Sequence, residues 1–228
     1  DTDGCEVMVA NARATKAFAK ARNQRGKTDP LDSRMLAHFA LAMTFRAWTP
    51  PSSEAMTLRR ITRRREQLVD MRRMEKQRRA EALATNDTYS IEAIKEVLEF
   101  LDSQIKATEE QALRHARAHA PLSRWVDSLL SIPGVANVTA VGLVAELACM
   151  PHDLDNKQVT AFVGLDPKPH QSGKADWNRR ISRRGNKRLR TLLYLAAWNT
   201  ARCSPEIKAW RGRLIERGKA PKVADVAV

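Results

Sequence analysis

The sequence predicts a mainly α-helical fold. Aromatic residues make up only 5% of the 228 residues while hydrophobic residues reach 43%, a balance typical of helices packed through Leu, Ala, Ile and Val. Segments 53–84 and 90–118 are long enough for extended helices, and Ile and Leu recur in the second in steps of three and four. Nine glycines argue against a low-complexity chain, and no apolar run approaches the roughly 18 residues of a membrane span.

The first fifty residues are predicted to contain a strand, a helix and a linker. Residues 5–9 have the composition of a short strand. Asp29 and Pro30 are residue types that suit a helix N-cap and first helical position, so a helix is predicted to begin there. The Pro-Pro pair within residues 49–52 breaks helical structure and predicts a linker.

The two long helices are predicted to form an antiparallel hairpin, since only a short polar turn separates them. The apolar stripe of the second helix indicates an interface, either between the two helices or between subunits. His115 and His119 are four residues apart near its end, but no further ligand type lies nearby, so a metal site is not predicted there.

The residues after Pro121 predict short helices joined by turns. Segment 129–147 reads as helix, Pro-Gly turn and helix, and segment 156–164 as a further short helix. A polar loop is expected over 168–180. Helices are then predicted over 187–202 and 206–217.

The charge points to a polyanionic partner. The chain has 40 Lys and Arg against 26 Asp and Glu, a net charge of +14. Segment 168–222 alone holds 16 basic and three acidic residues, and segment 59–79 holds ten and three. A solvated helix face would explain the second segment, whereas the first favours nucleic acid. Three cysteines without a Cys-x-x-Cys pair indicate free thiols in a reducing cytoplasm.

Asp29 and Asp32 form the first candidate site. Carboxylates three residues apart on one helical turn point to the same side and are able to share a divalent cation. Acids at a helix start are also favoured by capping and by the helix dipole, so spacing alone leaves both interpretations open.

Gly134 marks the second candidate site. Residues 131–136 resemble the turn of a helix-hairpin-helix, whose amides hold one DNA phosphate. The usual second glycine is replaced by Ala136, which has a narrower range of φ. A plain Pro-Gly turn between packed helices is the alternative.

The third candidate site lies between Ser172 and Arg190. Asn186 suits a helix N-cap, and free amides with nearby arginines would form a phosphate site. Ser172 in the preceding loop would present a hydroxyl to that phosphate, but a serine nucleophile needs a base and a Ser-Gly pair is common. The expected nucleic-acid contacts of this region are Lys174, Arg183, Arg184, Asn186, Lys187, Arg188 and Arg190.

These segments, in this order and spacing, resemble the insertion-sequence 110/1111 transposases. The resemblance rests on residues 27–32, 132–147, 162–172 and 181–190 and extends to 218–224. It identifies 1–48 as the C-terminal part of an α/β RuvC-like domain of the ribonuclease-H type, 49–120 as a coiled-coil arm, and 121–228 as a C-terminal transposase domain. The fold it implies is mainly α, with a remnant of the RuvC-like sheet.

The resemblance implies a DNA transposase or recombinase. Asp29 and Asp32 would be two of four acids that hold Mg²⁺, and Ser172 would form a phosphoserine link with DNA. Arg183 and Arg184 would hold the phosphate. The resemblance further implies that the protein binds a structured guide RNA and assembles as a dimer or tetramer. It also implies a location in the bacterial cytoplasm at the nucleoid, without membrane association.

Two competing interpretations concern activity. The family's first Asp and its Glu would lie upstream of Asp1, so the chain is expected to be a truncated piece that is inactive in strand exchange by itself. The alternative function is that of a catalytically inactive remnant that still binds nucleic acid. A structural protein of the nucleoid is a third interpretation, which the ordered motifs around Ser172 and Asn186 disfavour.

Overall fold

A computed structural model of the chain describes residues 6–23, 26, 28–44, 47–151, 153–172 and 175–228, with the backbone alone at residues 168–172 and 175–180. The architecture is mainly α-helical, as predicted. The described residues form ten helices: α1 (Ala12–Ala21), α2 (Asp29–Ala42), α3 (Ser53–Ala84), α4 (Thr88–Ala118), α5 (Ala120–Leu130), α6 (Asn137–Leu147), α7 (Asn156–Val163), α8 (Lys187–Cys203), α9 (Pro205–Glu216) and α10 (Pro221–Ala227). One antiparallel hairpin joins β1 (Pro167–Ser172) to β2 (Ala175–Ile181). None of the described helices is long and apolar enough to cross a membrane.

The chain divides into two compact units at the Pro-Pro pair. The first unit, residues 1–50, contains α1 and α2. Phe18 and Phe39 pack edge to face with ring centroids 5.4 Å apart, and Phe39 is the buried side chain of α2. Leu31 and Leu36 of α2 are exposed.

Two sequence predictions for the first unit are wrong, and one helix was not predicted. The described part of the expected strand, residues 6–9, has no regular secondary structure. Helix α1 was not predicted, although Asn11 caps it by accepting a hydrogen bond from the Arg13 N–H. Thr28, rather than Asp29, is the N-cap of α2. Asp29 and Asp32 therefore each lie one position further into the helix than predicted.

The second unit, residues 51–228, is built on the long hairpin of α3 and α4. Leu68, Leu101 and Ile105 are buried together between the two helices, which places the predicted apolar stripe inside the hairpin. Ser52 and Asp87 cap the two helices through hydrogen bonds to backbone N–H groups.

The base of the hairpin packs against the C-terminal helices. A core formed by α3, α4, α5, α6 and α8 includes Leu58, Val126, Val144 and Ala196. A second cluster, around Leu143, Val163 and Leu189, joins α6, α7 and α8. Residues of both α4 and α5 contribute to this core, so the core does not divide the chain between these helices. The boundary near residue 120, between the coiled-coil arm and the C-terminal domain, stays a prediction.

The expected polar loop over 168–180 is wrong, because its described residues form most of the β1–β2 hairpin. Pro167 pairs with Ile181 at the base of the hairpin, and Ser172 pairs with Ala175 at its other end. The two prolines of β1 fall where the register shifts, between Pro167 and Pro169. Proline lacks the N–H that a strand ladder uses, which is why this segment does not read as a strand.

Candidate nucleic-acid interface

The start of α8 is capped by Asn186, as the sequence predicts. The Oδ1 atom of Asn186 accepts hydrogen bonds from the backbone N–H groups of Arg188, at 3.0 Å, and Leu189, at 3.2 Å. Leu189 is fully buried, so this first turn is anchored to the core. The positive end of the helix dipole therefore lies at a fixed place beside the loop that precedes Asn186.

The loop 181–186 is held against the end of α7 by the backbone. The N–H groups of Ser182, Arg183 and Asn186 donate to the carbonyl oxygens of Asp166, Gly164 and Phe162, at 2.8, 3.0 and 2.8 Å. In addition, the buried Ser182 hydroxyl donates to the Asp166 carboxylate and accepts from the Arg184 N–H at 3.2 Å. The loop is thus fixed without any bound partner.

Two glycines make this contact possible. Gly164 ends α7 with a φ of +77°, a conformation that favours glycine. A methyl group at Gly185 would lie 2.0 Å from the carbonyl oxygen of Phe162. The α7 end and the loop therefore approach each other more closely than any other residue type at 185 would allow.

A buried acid connects the loop to α3. Glu146 on α6 is 4% exposed, and its Oε2 accepts a hydrogen bond of 2.7 Å from the Asn186 amide nitrogen. Its Oε1 lies 3.4 Å from Nε of Arg63. A second link from α3 to α8 is the ion pair between Glu66 and Arg188.

The cations around α8 fall into two groups. Arg183, Arg184 and Lys187 are exposed, and none of them has an acidic partner in the part of the chain that the structure describes. In contrast, Arg188 pairs with Glu66, and Arg190 donates to the Val163 carbonyl at 2.8 Å. The first group is available to a phosphate, whereas the second stabilises the site.

Arg183 has an unusual backbone. Its φ is +54°, in the left-handed region. The other described non-glycine residues with positive φ are Asn23 and Asn86, and asparagine is the type that tolerates this conformation. Such strain at a charged, exposed loop residue is typical of functional sites.

Ser172 lies in β1, within the hairpin that precedes α8 in the chain. Ser172 lies at the far end of β1 from Pro167, which pairs with Ile181 beside the loop. Five residues of strand separate the two ends, a distance of roughly 16 Å. The Ser172 hydroxyl is not among the described atoms, and Lys174 lies outside the described residues. The roles of both residues stay predictions.

The Gly134 turn has a clear packing reason for its glycine. Gly134 has a φ of +90°, and a methyl group there would lie 2.7 Å from the backbone carbonyl carbon of Asn199 in α8. The Val135 N–H donates to the Ile132 carbonyl at 3.1 Å, which closes the turn. Ala136 adopts a φ of −94°, so alanine fits without strain. A phosphate contact at this turn stays a prediction.

Asp29 and Asp32 lie in the first turn of α2. Asp29 is exposed and Asp32 is half-buried, and the Asp32 N–H donates to the Thr28 carbonyl at 2.9 Å. The N-cap residue, Thr28, forms no side-chain capping hydrogen bond. Asp29 and Asp32 are the acidic residues of this first turn.

Two family models match the chain. Residues 1–86 match a transposase model, the DEDD transposase domain of IS110, and residues 126–211 match the transposase IS116/IS110/IS902 family. The chain therefore contains transposase domains of the IS110/IS116/IS902 type.

Individual relatives agree with the family. The chain is 30% identical over 230 residues to a putative transposase, y4rJ, of Sinorhizobium fredii, which covers 81% of this chain and 57% of the relative. It is 25% identical over 226 residues to the pilin gene-inverting protein of Moraxella bovis, covering 98% of this chain and 69% of the relative. It is 37% identical over 92 residues to the transposase for insertion sequence element IS1111A of Coxiella burnetii, covering 40% and 24%. The chain thus spans little more than half the length of the first of these relatives.

The IS110-type DEDD match suggests that a divalent metal is used. Asp29 and Asp32 offer carboxylate oxygens, the donors that Mg²⁺ prefers. Among the described residues, however, no group of three or more acids, histidines or cysteines could hold a metal ion. The role of Asp29 and Asp32 as metal ligands stays a prediction.

Three residues that hold the start of α8 in place make contacts that the sequence did not reveal. Glu146, Gly164 and Asp166 belong to segments that carry the family resemblance, yet no role followed from them. An acid inside the apolar run of α6 was the available signal for Glu146. Its partners Asn186 and Arg63 are 40 and 83 residues away, so only the fold identifies them.

Proposed function

We propose that the chain acts in DNA transposition or recombination and holds a DNA phosphate at the start of α8. The observation that carries this proposal is the loop 181–186, which is fixed by α7 and presents the exposed Arg183 and Arg184 beside Lys187, the first residue of the capped helix α8. None of these three cations has an acidic partner among the described residues. Backbone amides, a helix dipole and arginines together favour a phosphate. The match to transposase domains supplies DNA as the source of that phosphate.

In this proposal Ser172 is the nucleophile. Its Oγ attacks a DNA phosphodiester, forms an O–P bond and breaks the bond from phosphorus to one sugar oxygen. The serine proton passes to a base, and the departing sugar oxygen takes up a proton and leaves as a hydroxyl. A sugar hydroxyl of a second strand then attacks the phosphoserine, restores the serine and rejoins the DNA, so one phosphoester replaces another throughout.

Asp29 and Asp32 are the proposed metal ligands of this chain. When bound, Mg²⁺ neutralises phosphate charge and lowers the pKa of an attacking hydroxyl. The two carboxylates lie one helical turn apart, which suits ligands that share one ion.

The basic helix α3 supports a second polyanion contact. Segment 59–79 carries ten basic and three acidic residues, and Arg60, Lys76 and Arg79 of this helix are exposed. A structured guide RNA on the arm, assembly into a dimer or tetramer, and a place at the bacterial nucleoid complete the proposal.

The test is formation of a covalent protein–DNA adduct. The full 228-residue chain is incubated with Mg²⁺ and labelled element-end DNA, and adducts that survive denaturing electrophoresis are counted. The proposal expects any adduct that forms to be lost in Ser172→Ala and retained in Ser103→Ala, a change at an exposed serine on α4. An adduct that forms equally well in Ser172→Ala would overturn the assignment.

Nucleic-acid binding without chemistry is the second candidate. It is favoured because only two acids, Asp29 and Asp32, are candidate metal ligands. The described residues contain no group of three or more acids, histidines or cysteines that could hold a metal ion. In that case binding weakens steeply with salt while no adduct appears in any variant. The chain would then bind DNA without exchanging strands.

A further inference from the structure

Glu146 is a charged side chain in an apolar environment. It lies on α6 next to six consecutive buried residues, Ala140 to Ala145, and is itself 4% exposed. Each of its carboxylate oxygens has one partner, Asn186 at 2.7 Å and Arg63 at 3.4 Å. A carboxylate in this setting is costly to desolvate, so its presence calls for a reason other than packing.

Stability is a weak reason for a buried acid. Replacing a buried ion pair by apolar residues of similar volume is often neutral or stabilising, and α6 offers such surroundings on every side. The better-attested benefit of buried polar groups is a single defined geometry. The geometry that Glu146 defines is that of the Asn186 amide.

The cap of α8 differs from the other Asn and Asp caps in having a buried second partner. Asn11, Asp87 and Asp155 cap α1, α4 and α7 at exposed positions, and their side chains accept hydrogen bonds from N–H groups within three residues. Asn186 caps with Oδ1 while its Nδ2 donates to Glu146. A carboxylate only accepts, so Glu146 permits one orientation of the amide, with the oxygen toward the helix.

We propose that Glu146 is a positioning residue for the phosphate site. It holds the Asn186 amide, and thereby fixes the first turn of α8 and the Arg183–Arg184 loop relative to Arg63 on α3. This inference rests on the proposed phosphate site at the start of α8. It adds that the contacts from Arg63 on α3 through Glu146 on α6 to Asn186 at the start of α8 raise the affinity of the site for DNA.

The main test is Glu146→Gln, which keeps the shape of the side chain and removes its charge. In the variant either Arg63 or Asn186 faces an amide N–H₂ group, so the amide of Asn186 is no longer held in one orientation. We expect the affinity for a 12-base-pair duplex, measured by fluorescence anisotropy at fixed salt, to fall about tenfold. Glu109→Gln is the matched control, because it removes an acid of α4 that pairs with an arginine of α3, Arg65, and not with a residue of α8. It is expected not to weaken binding.

A double-variant cycle separates positioning from general stability. Asn186→Ser keeps a good N-cap but has no N–H₂ group for Glu146. We expect it to weaken DNA binding as much as Glu146→Gln, and the double variant to bind no more weakly than either single variant. All measurements are made well below the thermal midpoint of each variant. Unchanged binding in Glu146→Gln, or losses that multiply in the double variant, would overturn the proposal.

Failure of the underlying site gives a different result. Arg183→Ala combined with Arg184→Ala removes the free cations of the loop without touching Glu146. If this variant binds the duplex as well as the unmodified chain, the phosphate site itself is wrong. If it binds weakly while Glu146→Gln binds normally, the phosphate site stands and the positioning role of Glu146 is wrong.

Discussion

The starts of α2 and α8 carry the two halves of the proposed chemistry, and they are built in opposite ways. At α8 the cap Asn186 is hydrogen-bonded on both sides of its amide, and Gly185 is pressed against α7. At α2 the cap Thr28 forms no side-chain bond, and Asp29 is exposed. The phosphate site is therefore preorganised within the described chain, whereas the acidic site depends on what binds to it.

The largest expected effect is at Gly185. In Gly185→Ala the new methyl group would lie 2.0 Å from the Phe162 carbonyl oxygen, so α7 and the loop must separate. We expect the free energy of unfolding of the second unit to fall by at least about 3 kcal/mol in urea denaturation. Gly212→Ala in α9 is the control, since its methyl group meets nothing within 4 Å. It should gain up to about 1 kcal/mol from helix propensity; equal effects of the two changes would contradict the close approach.

The next effect compares the two N-caps directly. Asn186→Ala removes the cap of α8 and leaves Glu146 with Arg63 alone, which is expected to cost about 2 kcal/mol. Thr28→Ala at α2 removes no side-chain cap bond and is expected to cost less than about 0.5 kcal/mol. Native-state amide exchange in the first turn of each helix measures both. A larger loss of protection in α2 than in α8 would reverse the comparison.

Sequence reasoning found what depends on neighbouring residues. The two long helices and the Asn186 cap follow from periodicity and from residue types within one or two turns. The family resemblance likewise singled out the segments that meet at the α7–α8 contact.

Sequence reasoning missed what depends on distant pairing. The β1–β2 hairpin is stabilised by cross-strand hydrogen bonds in a polar segment with two prolines, so no alternation of apolar residues marks it. Glu146 stands out as an acid in an apolar helix, but its function depends on partners on α3 and α8. The cap of α2 was assigned one residue late because Thr28 and Asp29 are both good caps.

A smaller effect concerns the strain at Arg183. Arg183→Asn replaces a residue that is costly at a φ of +54° by one that tolerates it, so unfolding should cost up to about 1 kcal/mol more. The lost cation should reduce the slope of log affinity against log salt by about 0.9. Arg184→Asn is the matched control, because it removes a neighbouring charge at a position without positive φ. It should lower the slope equally with no gain in stability; a gain at both positions would mean that charge repulsion, not backbone strain, is relieved.

The smallest effect is expected at the acidic start of α2. Asp29→Asn and Asp32→Asn each remove a carboxylate from the positive end of the helix dipole, which should cost a few tenths of a kcal/mol. If the two acids bind Mg²⁺, an ion concentration equal to the dissociation constant adds about 0.4 kcal/mol to the stability of the unmodified first unit. Amide chemical shifts during a Mg²⁺ titration should change in the first turn of α2, and the double variant should show no such change. A loss above 1 kcal/mol in either single variant without Mg²⁺ would mean that this turn is as preorganised as the start of α8, and the contrast between the two sites would fail.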